Sequence, residues 1–123
     1  MENPAANPAD TCTFCKIVRG ELPSTIVYED DTVLAFEDIN PVVPVHTLVI
    51  PKTHYQSAAA DVPEDLLGHV FSAATKVAAI KGVDKTGYRL LTNIGEDGRQ
   101  TVLHLHVHVL GGTQLSIGMS PAD

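Results

Sequence analysis

Histidines stand at His104, His106 and His108, alternating with Leu105, Val107 and Val109. In an extended strand successive side chains point to opposite faces, so this spacing predicts three imidazoles on one face and aliphatics on the other. An imidazole carries two polar nitrogens that need partners, which makes a row of three a costly choice for packing alone. One chemistry open to the row is metal binding. His104 and His108 are four residues apart, roughly 13 Å along a strand, and zinc–nitrogen bonds are about 2 Å, so the three rings do not converge readily on one ion. The other chemistry is nucleophilic attack on phosphorus. A neutral imidazole does this when one nitrogen is held as N–H and the other keeps its lone pair. His106, with an imidazole on each side, is the best-placed nucleophile. Anionic phosphoryl oxygens also need donors, and the preceding loop offers Asn93, Gly95, Gly98, Gln100 and Thr101.

Short elements must hold these residues. Phe14, Ile17 and Val18 fall on one side of a short helix that Gly20 would end. Thr25–Tyr28 and Thr32–Phe36 read as a hairpin around Glu29-Asp30-Asp31, and Thr47–Ile50 as a buried strand closed by Pro51. Leu66, Leu67, Val70, Phe71, Ala74, Val77 and Ala78 form one helical stripe. Asp61 and Glu64 would form its capping box and Gly82 its stop. Tyr88–Thr92 and Val102–Leu110 complete an expected five strands, with Gly111-Gly112 ending the last. The order predicts an α+β fold: an antiparallel sheet with one long helix packed on a face and one short helix. Residues 1–10 and 113–123 are expected to be tails flanking a domain over 11–112. His69, in the long helix, is expected to be a surface or satisfied core residue.

The chain's 123 residues suit one domain, and 44% apolar with 19% charged residues is an ordinary globular balance. Eight basic against fifteen acidic residues give a formal charge of −7, which argues against a nucleic-acid polymer as partner. No apolar run approaches the roughly 18 residues of a membrane span, and the N-terminal residues lack the pattern of a signal peptide, so a cytoplasmic location is expected. The only cysteines, Cys12 and Cys15, are spaced as half a metal site or a redox pair.

The run His104-Leu-His106-Val-His108-Val-Leu110 resembles the signature of the histidine triad (HIT) superfamily. The likeness extends from Cys12-Thr-Phe-Cys-Lys-Ile17 through Val33–Ile39 and His46–His54 to Gly112. Gly111-Gly112 after the triad is similar to the Hint branch, the histidine triad nucleotide-binding proteins. That resemblance implies a homodimer whose sheets join across the interface, hydrolysing purine nucleoside phosphoramidates through a nucleotidyl-histidine. It makes His106 the nucleophile, His108 a phosphate ligand and His46 the completion of an imidazole relay. Asn93 and Thr101 would contact phosphate, the Thr101 hydroxyl lying near the leaving nitrogen. Asp38 would hold the ribose hydroxyls, and Phe14, Ile17, Phe36 and Ile39 would enclose the base. Many bacterial relatives join two such cysteines to two histidines around zinc, which here would be Cys12, Cys15, His54 and His104. The sequence departs from the Hint pattern in having Thr101 where serine is common, Arg99 where glycine is common, and no tryptophan near its end. A dinucleoside polyphosphate hydrolase or nucleotidyl transferase is the alternative enzyme reading, and a non-catalytic zinc-stabilised nucleotide-binding module the alternative outside enzymes.

Overall fold

The computed structural model of the chain describes residues 8–117. Its elements are α1 (Pro8–Thr11), α2 (Thr13–Val18), β1 (Ile26–Glu29), β2 (Val33–Glu37), β3 (Val45–Pro51), α3 (Glu64–Ile80), β4 (Tyr88–Leu91) and β5 (Val107–Gly111). The strands form one antiparallel sheet in the order β1-β2-β3-β5-β4. The expected α+β architecture is therefore present, with an additional helical turn at α1. Arg19 Nη1 donates to the Ala9 carbonyl of that turn at 3.0 Å, so the expected tail does not continue through Asp10. Residues 1–7 and 118–123, parts of the two expected tails, lie outside the described residues.

Strand alternation splits the core into two layers. Val33, Ala35, Val45, Val49, Val107 and Val109 face α3, where Val70, Ala73, Ala74, Val77 and Ala78 meet them. Leu34, Phe36, Leu48 and Ile50 face the other way, against Phe14 of α2. β3 is buried along its whole length, as expected of a central strand covered on both faces. His46 and His108 belong to the Phe14 side by the same alternation, two residues from Leu48 and Leu110 respectively.

Three expectations give way. The last strand begins at Val107 and not Val102, which leaves His104 and His106 on an irregular approach to it. The Asp61–Glu64 capping box does not form: α3 is capped by Pro63, whose carbonyl accepts from Leu66 and Leu67 N–H, and Asp61 has a left-handed φ of 55°. Phe71 is exposed, because its position lies just outside the arc that α3 turns toward the sheet. Gly82 does end the helix, with φ 79° and its N–H bonded to the Ala79 carbonyl.

The β1–β2 turn is tied to α3 by one carboxylate. Asp30 accepts from Thr32 N and Val33 N at 2.9 Å, from Tyr28 Oη at 2.9 Å, and pairs with His69 Nε2 at 2.8 Å. Burial opposes ionisation of Asp30, but these donors outweigh it and hold the carboxyl well below the usual carboxylate range. His69 is thus a satisfied, partly exposed residue, as expected. Asp30→Ala is expected to lower folding stability by about 2 kcal/mol, since it leaves several donors without their acceptor. Urea denaturation of the two proteins at pH 7 tests this, and an unchanged midpoint would contradict it. Because the folded pKa is depressed, the contribution of Asp30 is present at neutral pH and is lost as pH falls below about 4.

Candidate active site

The approach to β5 is held by bonds outside the ladder. Leu105 N donates to the Tyr55 carbonyl at 2.7 Å, and Thr92 Oγ1 donates to the His106 carbonyl at 2.6 Å. Thr92 carries no motif of its own. Its position at the end of β4, beside the histidine run, is the only signal in the sequence.

Hydrogen bonds to the rings set the tautomers. His106 Nδ1 lies 2.7 Å from the carbonyl oxygen of His104 and can only donate to it, so its proton sits on Nδ1 and Nε2 keeps the lone pair. The His106 ring is buried between the Phe14 ring, edge-on at 5.1 Å, and the His108 ring at 5.0 Å. On β3, His46 Nδ1 accepts from Val42 N–H at 3.2 Å, which places the His46 proton on Nε2. His46 Nε2 donates to His108 Nδ1 at 2.9 Å. Neutral His108 therefore carries its proton on Nε2. Burial, and then the adjoining His106 and His46 rings, push the His108 pKa down to about 3.

An acid-stability prediction follows from that shift. An unfolded histidine takes up its proton near pH 6.5, whereas folded His108 resists until about pH 3. The unfolded chain binds more protons across that window, so stability is full above about pH 6.5 and falls as pH drops toward 3. Between pH 7 and 5 His108 is expected to account for about 2 kcal/mol of that loss. Denaturant midpoints across this range should show a shallower decline in His108→Gln than in the wild type, and equal slopes would contradict the assignment.

The nucleoside-site residues are brought together in part. Phe14, Ile17, Phe36, Asp38, Ile39 and Thr101 line a cavity of about 300 Å³. Phe14 and Phe36 are also core residues, while Ile39 is 87% exposed at the rim. Asp38 Oδ1 accepts from Asn40 N at 2.7 Å, and its Oδ2 lies 3.3 Å from His46 Nε2. Asn93 is half-buried just after β4 and does not line this cavity. The Gln100 amide is engaged within the loop, accepting from Gly95 N and donating to the Gln56 and Val102 carbonyls. Gln100 therefore braces the loop, which is a positioning role, and both ends of its amide are taken. In that loop a Cβ on Gly98 would come within 2.5 Å of the Ile94 carbonyl oxygen, and Arg99 follows with a left-handed φ of 65°.

Cys12, Cys15, His54 and His104 form a separate cluster whose Sγ and Nδ1 atoms lie within 4.8 Å of one another. Cys12 Sγ and Cys15 Sγ are 3.3 and 3.5 Å from His104 Nδ1, and Cys15 Sγ is 3.3 Å from His54 Nδ1. A tetrahedral zinc with Zn–S of about 2.3 Å and Zn–N of about 2.0 Å has S···N edges of about 3.6 Å, so the set fits that ion. His104 Nε2 donates to the Pro51 carbonyl at 2.9 Å, which aims the Nδ1 lone pair at the sulfurs. Burial lowers the His104 pKa to about 4, and burial together with the Cys12 thiol raises Cys15 to about 11. Both thiols would be deprotonated by a bound cation. The described residues contain one other such group, Asp38, His46 and His108. His106 belongs to neither.

Comparison with known proteins identifies the family. The HIT domain model matches residues 19–115. The chain belongs to the HIT family. An HIT-like protein of Synechocystis is 49% identical over 88% of this chain and 96% of its own. The structure of a HIT family hydrolase from Clostridium thermocellum is 46% identical, with a TM-score of 0.85 over 90% of this chain and 98% of that one. A histidine triad protein from Clostridium difficile is 48% identical, with a TM-score of 0.83 over 97% of this chain and all of that one. As a HIT protein the chain has no helix, among the described residues, long and apolar enough to cross a membrane.

Proposed function

We propose that this HIT protein is a purine nucleoside phosphoramidate hydrolase of the Hint type, working in the cytoplasm. The observation that carries the reading is the tautomer of His106: Nδ1–H is fixed on the His104 carbonyl, so Nε2 is the nucleophilic nitrogen. The nucleoside occupies the cavity lined by Phe14, Phe36 and Asp38, whose carboxylate accepts from the ribose diol. His106 Nε2 attacks the α-phosphorus as the phosphorus–nitrogen bond breaks, and the amine leaves with a proton taken from solvent and relayed through the Thr101 hydroxyl; the water of the second step returns a proton to solvent. The His108 Nε2–H, polarised by the bond from His46, steadies a phosphoryl oxygen. Water then attacks phosphorus, the bond to Nε2 breaks, and the nucleoside monophosphate is released. Asn93 supports the phosphate side from the loop.

Zinc in the Cys12, Cys15, His54 and His104 cluster has a structural part in this reading, since four protein donors leave no open position for substrate. The partner is a second copy of the chain. β4 is an outer strand of the sheet, with four half-buried residues, and offers its edge for continuation of the sheet. The hydrolase name of the Clostridium thermocellum neighbour supports the class of reaction. Steady-state assays comparing adenosine 5′-phosphoramidate with diadenosine polyphosphates test the bond cleaved. Faster turnover of the phosphoramidate is expected, and a strong preference for the polyphosphates would overturn the proposal.

A further inference from the structure

The ring N–H of His46 donates to one acceptor and has a carboxylate oxygen close beside it. His46 Nδ1 accepts from Val42, so Nε2–H is the only N–H of the neutral ring, and it lies 2.9 Å from His108 Nδ1 and 3.3 Å from Asp38 Oδ2. The 2.9 Å contact is the hydrogen bond, and the carboxylate draws on the same N–H through charge alone, which opposes its full donation to His108. The carboxylate cannot readily swing aside, because Asn40 N holds Oδ1 at 2.7 Å. Asp38 also lines the nucleoside cavity, while His46 is almost fully buried behind it. The group that would meet the sugar is thus the group whose charge competes for the relay's hydrogen.

Resting on the nucleoside reading of that cavity, we propose that Asp38 couples the sugar to the imidazole relay. A vicinal diol donating its hydroxyls to the carboxylate draws its negative charge toward the sugar, and the His46 Nε2–H then donates to His108 Nδ1 without that competition. Each hydrogen bond in a chain polarises the next, so the His108 Nε2–H becomes a stronger donor to the phosphoryl group. Asp38 is accordingly a positioning residue as well as a sugar ligand, and the diol contributes to the rate of phosphorus transfer in addition to binding. Specificity for ribonucleosides would then be expressed in kcat, because the interaction matures only with the correct sugar in place.

The test compares adenosine 5′-phosphoramidate with its 2′,3′-dideoxy analogue on the intact protein. The dideoxy substrate is expected to lose about tenfold in kcat, the worth of one good hydrogen bond, on top of any rise in KM. In Asp38→Asn the two substrates should share one kcat. A rise in KM alone for the dideoxy substrate, with kcat unchanged, would overturn the coupling. A second readout needs neither turnover nor a variant. The proton resonance of His46 Nε2–H, observed by NMR in the ¹⁵N-labelled wild type, should move downfield with AMP and stay in place with 2′,3′-dideoxy-AMP. Equal movement with both nucleotides overturns the coupling. Absence of phosphoramidate turnover in the wild type would overturn the hydrolase reading instead, and the NMR comparison would still decide the role of Asp38.

Discussion

Replacing His106 by alanine is expected to lower phosphoramidate turnover by about four to six orders of magnitude, the range seen when a covalent nucleophile is removed. The wild-type reaction, quenched rapidly and examined by mass spectrometry, should carry a nucleotidyl adduct on His106, and the variant should carry none. AMP binding should survive, because the cavity is walled by Phe14, Ile17, Phe36 and Asp38 rather than by the nucleophile. The size of the effect follows from the tautomer lock. No other histidine of the row combines a proton fixed away from the phosphate with a lone pair left for attack, since His104 aims its lone pair at two sulfurs and His108 engages its Nδ1 lone pair with the His46 N–H. An adduct on another residue, or near-normal turnover in the variant, would remove His106 from the chemistry.

Stripping metal from the protein should cause the second large change. A ligand that binds only the folded state stabilises it by about 4 kcal/mol at a thousandfold excess over its Kd. For a domain of this size that is a fall of about 15 °C in Tm when a strong chelator is added. Metal analysis should find one zinc per chain, and Cys15→Ala, which removes the buried sulfur of the cluster, should lose both the metal and the chelator response. Identical melting curves with and without chelator, in a protein prepared with zinc, would show that these four side chains pack without an ion. Activity measured at low temperature should persist after chelation, as zinc takes no part in bond breaking.

Much of this was legible in the residues because it depends on period and chemistry alone. The antiparallel sheet and the long helix ended at Gly82 belong to that part, whereas the grouping of Cys12, Cys15, His54 with His104 comes from the resemblance to HIT proteins. What escaped depends on contacts between distant segments. The His/aliphatic alternation reads as one strand from 102 to 110, yet the chain leaves the ladder before Val107, where Tyr55 and Thr92 supply the bonds that a neighbouring strand would have made. That departure explains how the row can serve two sites: His104 turns to the cysteines while His106 and His108 stay together. The Asp61–Glu64 pattern is locally sound, but Pro63 already starts the helix. The partnership of Asp30 with His69 spans 39 positions and has no local signature. Gln100 shows the limit of reading side-chain type, since an amide beside a phosphate loop is equally suited to bracing the loop itself.

Arg99 holds a backbone shape that normally belongs to glycine, yet the turn around it is closed by main-chain bonds from Arg99 N to the Glu96 carbonyl and from Gln100 N to the Gly95 carbonyl. The path of the loop thus rests on its backbone and on Gly98, while the exposed side chain at 99 is left to other uses. Position 99 is accordingly a mounting point on a prebuilt bracket, where nature or a designer can exchange a cation for a neutral or acidic group and change the charge the loop presents without rebuilding it.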